Sequence, residues 1–316
     1  MKKHNLNDIA KLASVSVTTV HRALSGKGYV SSEVRAKIFK AASQLGYTPN
    51  GAVNKKRIGI VISQYEHNNC NFYRDTMLAE ISRRCSELDI GIEIVFPRNI
   101  ETLEENFVRE ALVFQQLEPE AFKKAPNVNF VSINNTLKNA PVVSTDNRWC
   151  IESGVNYLLQ HGCKRIMLIV PNCDGQSAAE RCDLFSECMK RAGMFYDILD
   201  LDNCVSVAET LKQAVTEKKI DAFFIGGEDM APMINWELNR LGFKIPDDFS
   251  LLSFEAPGSS CYMIPPHTTV QQDFPRLVST ALEWLMKIAE GQTLPANHRL
   301  LLPGIFNERE SVKSIK

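Results

Sequence analysis

Side chains that suit contact with nucleic acid are concentrated near the start of this chain. Arg22 can donate two hydrogen bonds to a guanine, and the methyl groups of Val17 and Thr18 suit contact with the methyl group of thymine. Arg22 could alternatively bind a phosphate, which fixes position without reading sequence. The residue types therefore predict a DNA-binding surface. Neighbouring polar side chains that are predicted to contact phosphates are Ser16, Thr19, His21, Ser31 and Asn50.

These side chains must be presented by helices, the first of which is predicted to begin after Asn5. Asn5 and Asp8 have the spacing of a capping box, in which each side chain accepts a hydrogen bond from the backbone of the other residue. Ile9, Leu12 and Ala13 are predicted to form the apolar face of this helix. A tight turn then leads to the next helix.

A second helix is predicted to begin after Ser16. Val20, Ala23 and Leu24 recur at helical spacing and should face inward, which leaves the start of the helix facing solvent. A third helix is predicted to end at the sequence YTPN, because proline disrupts a helix. This is the arrangement of a helix-turn-helix, in which the start of the second helix enters the major groove.

Positive charge is concentrated in the same part of the chain. Residues 1–57 contain 11 Lys and Arg residues against two acidic residues, whereas the whole chain has a formal net charge of -1. A basic segment of this kind is the electrostatic footprint of a polyanionic partner. Lys55, Lys56 and Arg57 at the end of the segment could follow phosphates. The alternative is that residues 49–57, which end in these three basic residues, are only a flexible tether between folded units.

The composition argues against several other classes of protein. The chain has 316 residues and is 44% hydrophobic, which is enough for two or three folded units. The nine cysteines form no C-x-x-C pair, so reduced thiols and an intracellular location are expected. No apolar run is long enough to span a bilayer. The G-x-S-x-G, P-loop and H-E-x-x-H patterns are missing, so we expect neither catalysis nor a cofactor nor a metal.

Beyond residue 57, short β-rich runs alternate with helical ones. This alternation predicts two doubly wound lobes of parallel sheet with helices on both faces. Ligands in such folds bind at the carboxyl ends of the strands, here between the lobes. The predicted strands are 58–63, 90–96, 110–116, 129–134, 165–170, 222–226 and 249–254, and the predicted helices are 73–88, 150–161, 177–192, 206–217, 229–241 and 276–290.

The sequence resembles the lactose-repressor/galactose-repressor (LacI/GalR) family of bacterial transcription regulators. The resemblance rests on DIAKLASVSVTTVHRAL, VSSEVRAKIFKAASQLGYTPN, GVNYLLQHGCKRIMLI and SSCYMIPPHTTVQQDF. It implies an α/β protein with a three-helix helix-turn-helix head and a periplasmic-binding-protein-like core. The implied divisions are a head at 1–48, a short basic hinge or linker at 49–57 and a core at 58–316, with lobe 1 at about 58–160 and 274–300 and lobe 2 at about 161–272 and 301–316.

Several positions near the head depart from the family pattern. Ser14 replaces the usual turn glycine, at a backbone site that favours positive φ, and His21 replaces the usual serine. The linker is several residues short, and the basic residues Lys55, Lys56 and Arg57 stand where the family has an apolar residue that wedges into the minor groove. We therefore expect operator binding with the wedge absent or altered.

The resemblance also implies a small-molecule effector site between the lobes. Arg181 occupies the position of a family arginine, and a guanidinium can form two hydrogen bonds to hydroxyl groups or to a carboxylate. A surface salt bridge is the alternative for this residue. Gly227 and Trp149 stand where the family has an asparagine and a smaller residue, so the effector is expected to differ from a simple galactoside, or the site to be partly closed. With Arg181, the predicted effector-binding residues are Phe72, Tyr73, Trp149, Glu228, Glu255, Gln272 and Phe274.

Together, these observations predict a transcription regulator, most simply a repressor, that binds a pseudo-palindromic operator in double-stranded DNA as a homodimer. A carbohydrate or a related small molecule is the expected effector, and no membrane contact is expected. Dimerisation is predicted to use helices 73–88 and 276–290. Two alternatives stay open: a sugar-type binding protein whose head no longer reads DNA, and a DNA-binding regulator whose ligand site no longer responds.

Overall fold

The computed structural model describes most of the chain. Among the described residues, no helix has both the length and the apolar character needed to cross a bilayer. The predicted phosphate contacts Asn50 and Lys55 lie outside the described residues. The described residues are 4–25, 28–47, 56–62, 71–114, 119–135, 137, 140–171, 176–255, 257–295 and 297–314. The chain divides into a first compact unit of Met1–Tyr65, Ile81–Val143 and Val278–Arg299, and a second of Glu66–Glu80, Ser144–Leu277 and Leu300–Lys316.

The predicted helix-turn-helix is present at the start of the first unit. Its helices are α1 Leu6–Ala13, α2 Val17–Ser25 and α3 Ser32–Gln44. The predicted capping box is confirmed, because Asn5 Oδ1 accepts hydrogen bonds from the backbone N–H groups of Asn7 and Asp8, and Asp8 Oδ2 accepts one from the N–H of Asn5 at 2.9 Å. These bonds satisfy N–H groups that a helix start otherwise leaves without partners.

The turn between α1 and α2 is built on Ser14, which adopts the left-handed conformation with φ 56° and ψ 44°. The predicted positive φ is therefore confirmed at a residue that carries a Cβ. The predicted apolar face of α1 is wrong at one position, since Ile9 and Ala10 are buried whereas Leu12 is 50% exposed. At about 100° per residue, Leu12 lies on the side of the helix opposite Ala10.

The head has a small apolar core of its own, to which all three helices contribute. Ile9, Val20 and Ile38 are fully buried in it. Phe107, from a later part of the first unit, packs against this core, and its ring meets Phe39 edge to face with centroids 5.1 Å apart. The head is therefore packed on the rest of the first unit through an aromatic contact.

The first sheet has the strand order β11-β5-β4-β3-β1-β2 among the described residues. Neighbouring strands from β1 to β5 are parallel, as predicted. The strands are β1 Arg57–Val61, β2 Gly91–Val95, β3 Glu110–Val113, β4 Asn129–Ile133, β5 Val142–Thr145 and β11 Arg299–Leu302, and the helices of this part of the chain are α4 Phe72–Glu87, α5 Thr102–Glu105, α6 Pro119–Lys123 and α11 Phe274–Ala289.

The second sheet has the order β12-β10-β9-β8-β6-β7 in the described part of the chain. Its pairs are parallel except for β10 with β12, which are antiparallel. The strands are β6 Arg165–Val170, β7 Phe195–Asp200, β8 Ala222–Ile225, β9 Ser250–Phe254, β10 Thr268–Gln271 and β12 Ile305–Asn307, and the helices are α7 Asn147–Gln160, α8 Gln176–Ala192, α9 Val207–Thr216 and α10 Ala231–Arg240.

Alternate side chains of β8 pack on opposite faces of this sheet, as the period of a strand requires. Phe224 joins a buried cluster with α7 and α8, whereas Phe223 and Ile225 join a second cluster with α9 and α10. Helices therefore cover both faces of a largely parallel sheet. The predicted doubly wound fold is confirmed.

Helix α7 belongs to the second unit, although the predicted lobe 1 extended to residue 160. The helix packs closely on the second sheet at Gly154, where a Cβ would lie 2.7 Å from the ring of Phe224. Only a glycine leaves that space for the ring. The exact limits of head, linker and lobes stay a prediction.

Candidate DNA interface and effector site

The second helix of the head exposes the side chains that were predicted to read bases. Val17, Thr18 and Arg22 face solvent, as does His21. They do so because Val20, Ala23 and Leu24 of α2 are buried in the core of the head. The start of α2 is thus held by its apolar face and presents its opposite face outward, as contact with a major groove requires.

Local hydrogen bonds fix the start of α2. Ser16 Oγ accepts from the backbone N–H of Thr19 at 3.0 Å and lies 2.7 Å from Thr19 Oγ1. Ser31 plays the same role at the start of α3, where its Oγ accepts from the N–H of Val34 at 3.5 Å. These hydroxyl groups cap helices, so any phosphate contact they make shares an oxygen that already accepts a bond.

The basic residues after the linker are partly anchored. Arg57 is the first residue of β1 and pairs with Gly91, and its Cγ would lie 3.1 Å from a Cβ at Gly91. The carbonyl of Lys56 accepts a hydrogen bond from Gly91 N–H at 2.7 Å. Both side chains are exposed. Of the three basic residues predicted to follow phosphates, these two therefore extend from the start of β1, an interior strand of the first sheet, rather than from a free tether.

In the second unit, Arg181 is buried at 7% exposure, which excludes a surface salt bridge. Its Nε donates to Asn147 Oδ1 at 3.1 Å, and its Nη1 donates to the carbonyl of Gly226 at 2.7 Å. The guanidinium lies 3.8 Å from the ring centroid of Phe254, in cation-π geometry. Asn147 in turn donates to Glu180 Oε2 at 2.7 Å. This chain of bonds holds the guanidinium in one orientation.

A second polar chain lies in the same unit. Thr145 Oγ1 donates to Gln272 Oε1 at 2.7 Å, and Gln272 Nε2 donates to Glu228 Oε1 at 2.5 Å. Glu228 and Gln272 are both buried. Gly226, Glu228 and Gln272 each follow the carboxyl end of a strand of the second sheet, where doubly wound folds bind ligands.

Glu255 is engaged elsewhere. Its Oε2 accepts from Arg309 Nη1 at 2.9 Å, and Thr269 Oγ1 also donates to it. The carboxylate is 6% exposed and ion-paired. A buried charge needs such a partner, so this pair ties the segment after β12 to the end of β9. The effector role of Glu255 stays a prediction.

The predicted aromatic residues lie in two places within the second unit. The ring of Tyr73 is 6.0 Å from the buried ring of Phe274, and Phe72 is half-buried against the cluster on the α9 and α10 face. Trp149 packs beside Gly304, where a Cβ would lie 3.0 Å from its Cζ3. Its backbone N–H donates to Asp146 Oδ1, the cap of α7.

Sequence reasoning missed Asn147 and Asp229. Asp229 Oδ1 accepts from the backbone N–H of Phe72 at 2.6 Å. Partial desolvation of this carboxyl group, with the Glu228 and Asp75 carboxylates near it, raises the pKa of Asp229 to about 6. Asn147 directly follows Asp146, the cap of α7, and this place after a helix cap was the signal that could have identified it.

A helix-turn-helix head followed by two parallel α/β sheets defines a DNA-binding regulator with a periplasmic-binding-protein-like core. Residues 5–50 match the family described as bacterial regulatory proteins, lacI family, and residues 155–312 match the periplasmic binding protein-like domain. The chain belongs to the LacI/GalR family of transcription regulators. Because this family consists of regulators, the expectation that the protein is not an enzyme is confirmed.

Relatives match most of the length of the chain. The ribose operon repressor of Halalkalibacterium halodurans is 23% identical, in an alignment that covers 98% of this chain and 97% of the repressor. The regulator GalR of Streptococcus thermophilus is 26% identical, with 89% and 92% covered. Among solved structures, the Lac repressor dimer bound to operator and the anti-inducer ONPF has a TM-score of 0.68 at 20% identity, with 98% and 99% covered. That likeness shows the fold.

Proposed function

We propose that the protein represses transcription by binding a pseudo-palindromic operator as a homodimer in the cytoplasm, and that a carbohydrate or related small molecule changes its affinity for DNA. The observation that carries the proposal is the outward face of α2, with Val17, Thr18 and Arg22 held by a buried core behind them. Relatives named ribose operon repressor, sucrose operon repressor and GalR support the class of effector.

The roles of the head residues follow from their chemistry. Arg22 reads a guanine in each half-site, and Val17 and Thr18 contact thymine methyl groups. Lys56 and Arg57 add phosphate contacts from the start of β1, which raise affinity for any DNA sequence. In this protein the linker contributes charge at the position where the family resemblance implies an apolar wedge.

Selection of bound sequences from random DNA, followed by titration of the selected operator, tests the DNA part of this proposal. An Arg22→Gln variant should bind about 10-fold or more weakly and lose its preference at one position of each half-site. A Lys56→Gln variant is the matched control, since it should weaken binding to all DNA sequences alike and lower the slope of log affinity against log salt concentration by about one. An Arg22→Gln variant that keeps every sequence preference would assign this side chain to a phosphate instead.

The effector part rests on Arg181. Its guanidinium is oriented by Asn147, the Gly226 carbonyl and the ring of Phe254, so it needs little reorganisation to bind a hydroxyl pair or a carboxylate. The carboxylate of Glu228 and the amide of Gln272 supply further polar groups at strand ends. Gly227 contributes no side chain, which leaves fewer hydrogen bonds for a sugar than the family arrangement provides.

Thermal unfolding with monosaccharides, disaccharides, sugar phosphates, nucleosides and purines tests this part. A true effector should raise the midpoint of unfolding and also change operator affinity, because ligand binding to the folded state stabilises it. An Arg181→Lys variant should lose the shift, whereas the control Arg191→Lys, an exposed arginine on the same helix, should keep it. If no compound shifts the parent protein, the regulator acts without a ligand of these classes.

The homodimer is supported by exposed apolar side chains in each unit. In the first unit, Ile92 and Ile94 are exposed on β2, an edge strand. In the second, Trp236 and Tyr262 are 62% and 80% exposed. Large apolar patches on a folded chain mark interaction surfaces. Helices 73–88 and 276–290 stay the predicted dimerisation elements, and their side chains Met77, Ile81, Leu282 and Leu285 are buried within the chain.

A further inference from the structure

The first unit contains a cavity of about 710 Å³ beside the head. Leu24 and Phe39 line it from the head, and Ile58, Leu282 and Leu285 line it from β1 and α11. Its volume falls within the range of about 300–1,000 Å³ that small-molecule pockets occupy, and most of its lining is apolar. None of its lining residues takes part in the hydrogen bonds that orient Arg181.

Positive charge predominates among the ionisable residues of this cavity. Arg35, Lys56 and Arg57 line it, against the single carboxyl group of Glu110 in the described lining. Burial raises the pKa of Glu110. Arg35 Nε is buried and has no hydrogen-bond partner among the described residues. A buried donor that lacks a partner is costly, and the charged guanidinium that carries it lines the cavity, where it would favour an anionic ligand.

The cavity wall also joins the head to the rest of its unit. Phe39 of α3 packs edge to face on Phe107, which holds a left-handed backbone conformation at φ 60°. That conformation is rare for a bulky residue and persists only where packing enforces it. A molecule in this cavity would therefore contact both α3 and the body of the unit, and it would bias how firmly the head is held.

We propose that this cavity binds an amphipathic anion, with an aromatic or short acyl body among the apolar residues and one carboxylate, sulfonate or phosphate group on Arg35. The site is separate from the effector site proposed at Arg181. Binding fixes the head against its unit and so changes operator affinity by as much as the anion prefers the docked head. The excess of positive over negative side chains in the lining favours an anion over a neutral sugar.

Fluorescence titration of the full-length protein with two dyes tests this site. Anilinonaphthalene sulfonate carries an apolar body and one anionic group, and phenylnaphthylamine has the same rings without the sulfonate. Saturable binding of the sulfonate at one site per chain is expected. An Arg35→Gln variant should weaken the sulfonate about 10-fold, as loss of a charged hydrogen bond implies, and leave phenylnaphthylamine unchanged.

Matched variants separate this site from other surfaces. Lys37→Gln, an exposed change on the same helix, and Arg181→Lys should leave both titrations unaltered. Ala289→Trp, which places a ring at the cavity lining, should abolish binding of both dyes. Circular dichroism of each variant checks that the head stays folded. If Arg35→Gln unfolds the head, Lys56→Gln with Arg57→Gln removes the charge from outside the head and should weaken the sulfonate instead.

Two results would overturn the proposal. One is a sulfonate affinity that is the same in the parent and in the charge-removing variants, which would show that the dye responds to apolar surface alone. The other is titration that does not saturate, or that Ala289→Trp leaves intact, which would place the dye elsewhere.

Discussion

Buried polar residues of the second unit satisfy one another, and His267 shows how this constrains the chain. The residue is fully buried, its Nδ1 lies 3.3 Å from Ser253 Oγ and its Nε2 lies 3.1 Å from Asn235 Oδ1. Arg309 Nη1 donates to its carbonyl at 2.6 Å. Burial, with the positive charge of Arg309, lowers the pKa of His267 to about 4.

This pKa predicts a dependence of stability on pH. Between pH 4 and 6.5 the unfolded chain binds a proton at this site and the folded chain does not, so stability should rise with pH across that window and level off above it. The full effect is roughly 3 kcal/mol. Denaturant unfolding at a series of pH values measures it. A His267→Gln variant should be less stable at neutral pH and should lose this pH dependence. A substitution at the exposed His298 should keep the pH dependence. Parallel pH profiles for the parent and His267→Gln would refute the assignment.

At the scale of elements, the turn of the head carries a residue that fits poorly. Ser14 holds φ 56° directly after α1, a conformation that costs an L-residue roughly 1–2 kcal/mol. A Ser14→Gly variant should therefore raise the stability of the head by about 0.5–1 kcal/mol, since glycine removes the strain but is more flexible when unfolded. Thermal unfolding of the head signal tests it, with Ser25→Gly in helical α2 as a control that should destabilise. A loss of stability in Ser14→Gly would contradict the argument.

The elements differ in how far sequence could predict them. Helix α2 was placed correctly because Val20, Ala23 and Leu24 mark one face at helical spacing. Strand β7 was not predicted, because it is an edge strand whose aspartates, Asp197 and Asp200, interrupt the apolar pattern. Strand β10 was also missed, since buried threonines give it no hydrophobic signal even though it pairs on both sides.

At the scale of the whole molecule, the exposed patch of the second unit should decide assembly. Trp236 on α10 and Tyr262 lie on neighbouring segments, since His267 bonds Asn235 and Met263 packs in the same cluster as α10. A Tyr262→Asp variant combined with Trp236→Glu should convert the dimer to a monomer and weaken operator binding strongly, because two linked heads gain affinity from effective concentration.

Light scattering with size-exclusion chromatography measures this prediction. Val205→Asp is the control, because Val205 is a fully exposed apolar residue of the same unit far along the sequence from the patch. The control should stay dimeric. If the double variant stays dimeric, the interface lies on another surface. The edge strand that carries Ile92 and Ile94 is then the next to test.

The sequence by itself determined the class of protein. Helix capping and helical spacing are local properties and charge is a sum over residues, so together they predicted the helix-turn-helix and its exposed recognition face. The doubly wound core followed from alternation of element types. Tertiary structure alone decided that Arg181 is oriented by Asn147 and Gly226, that Glu255 is paired with Arg309, and that Arg35 lines a cavity beside the head. Those contacts join residues distant in sequence, so only the packing of sheets and helices, which no local pattern encodes, brings them within bonding distance.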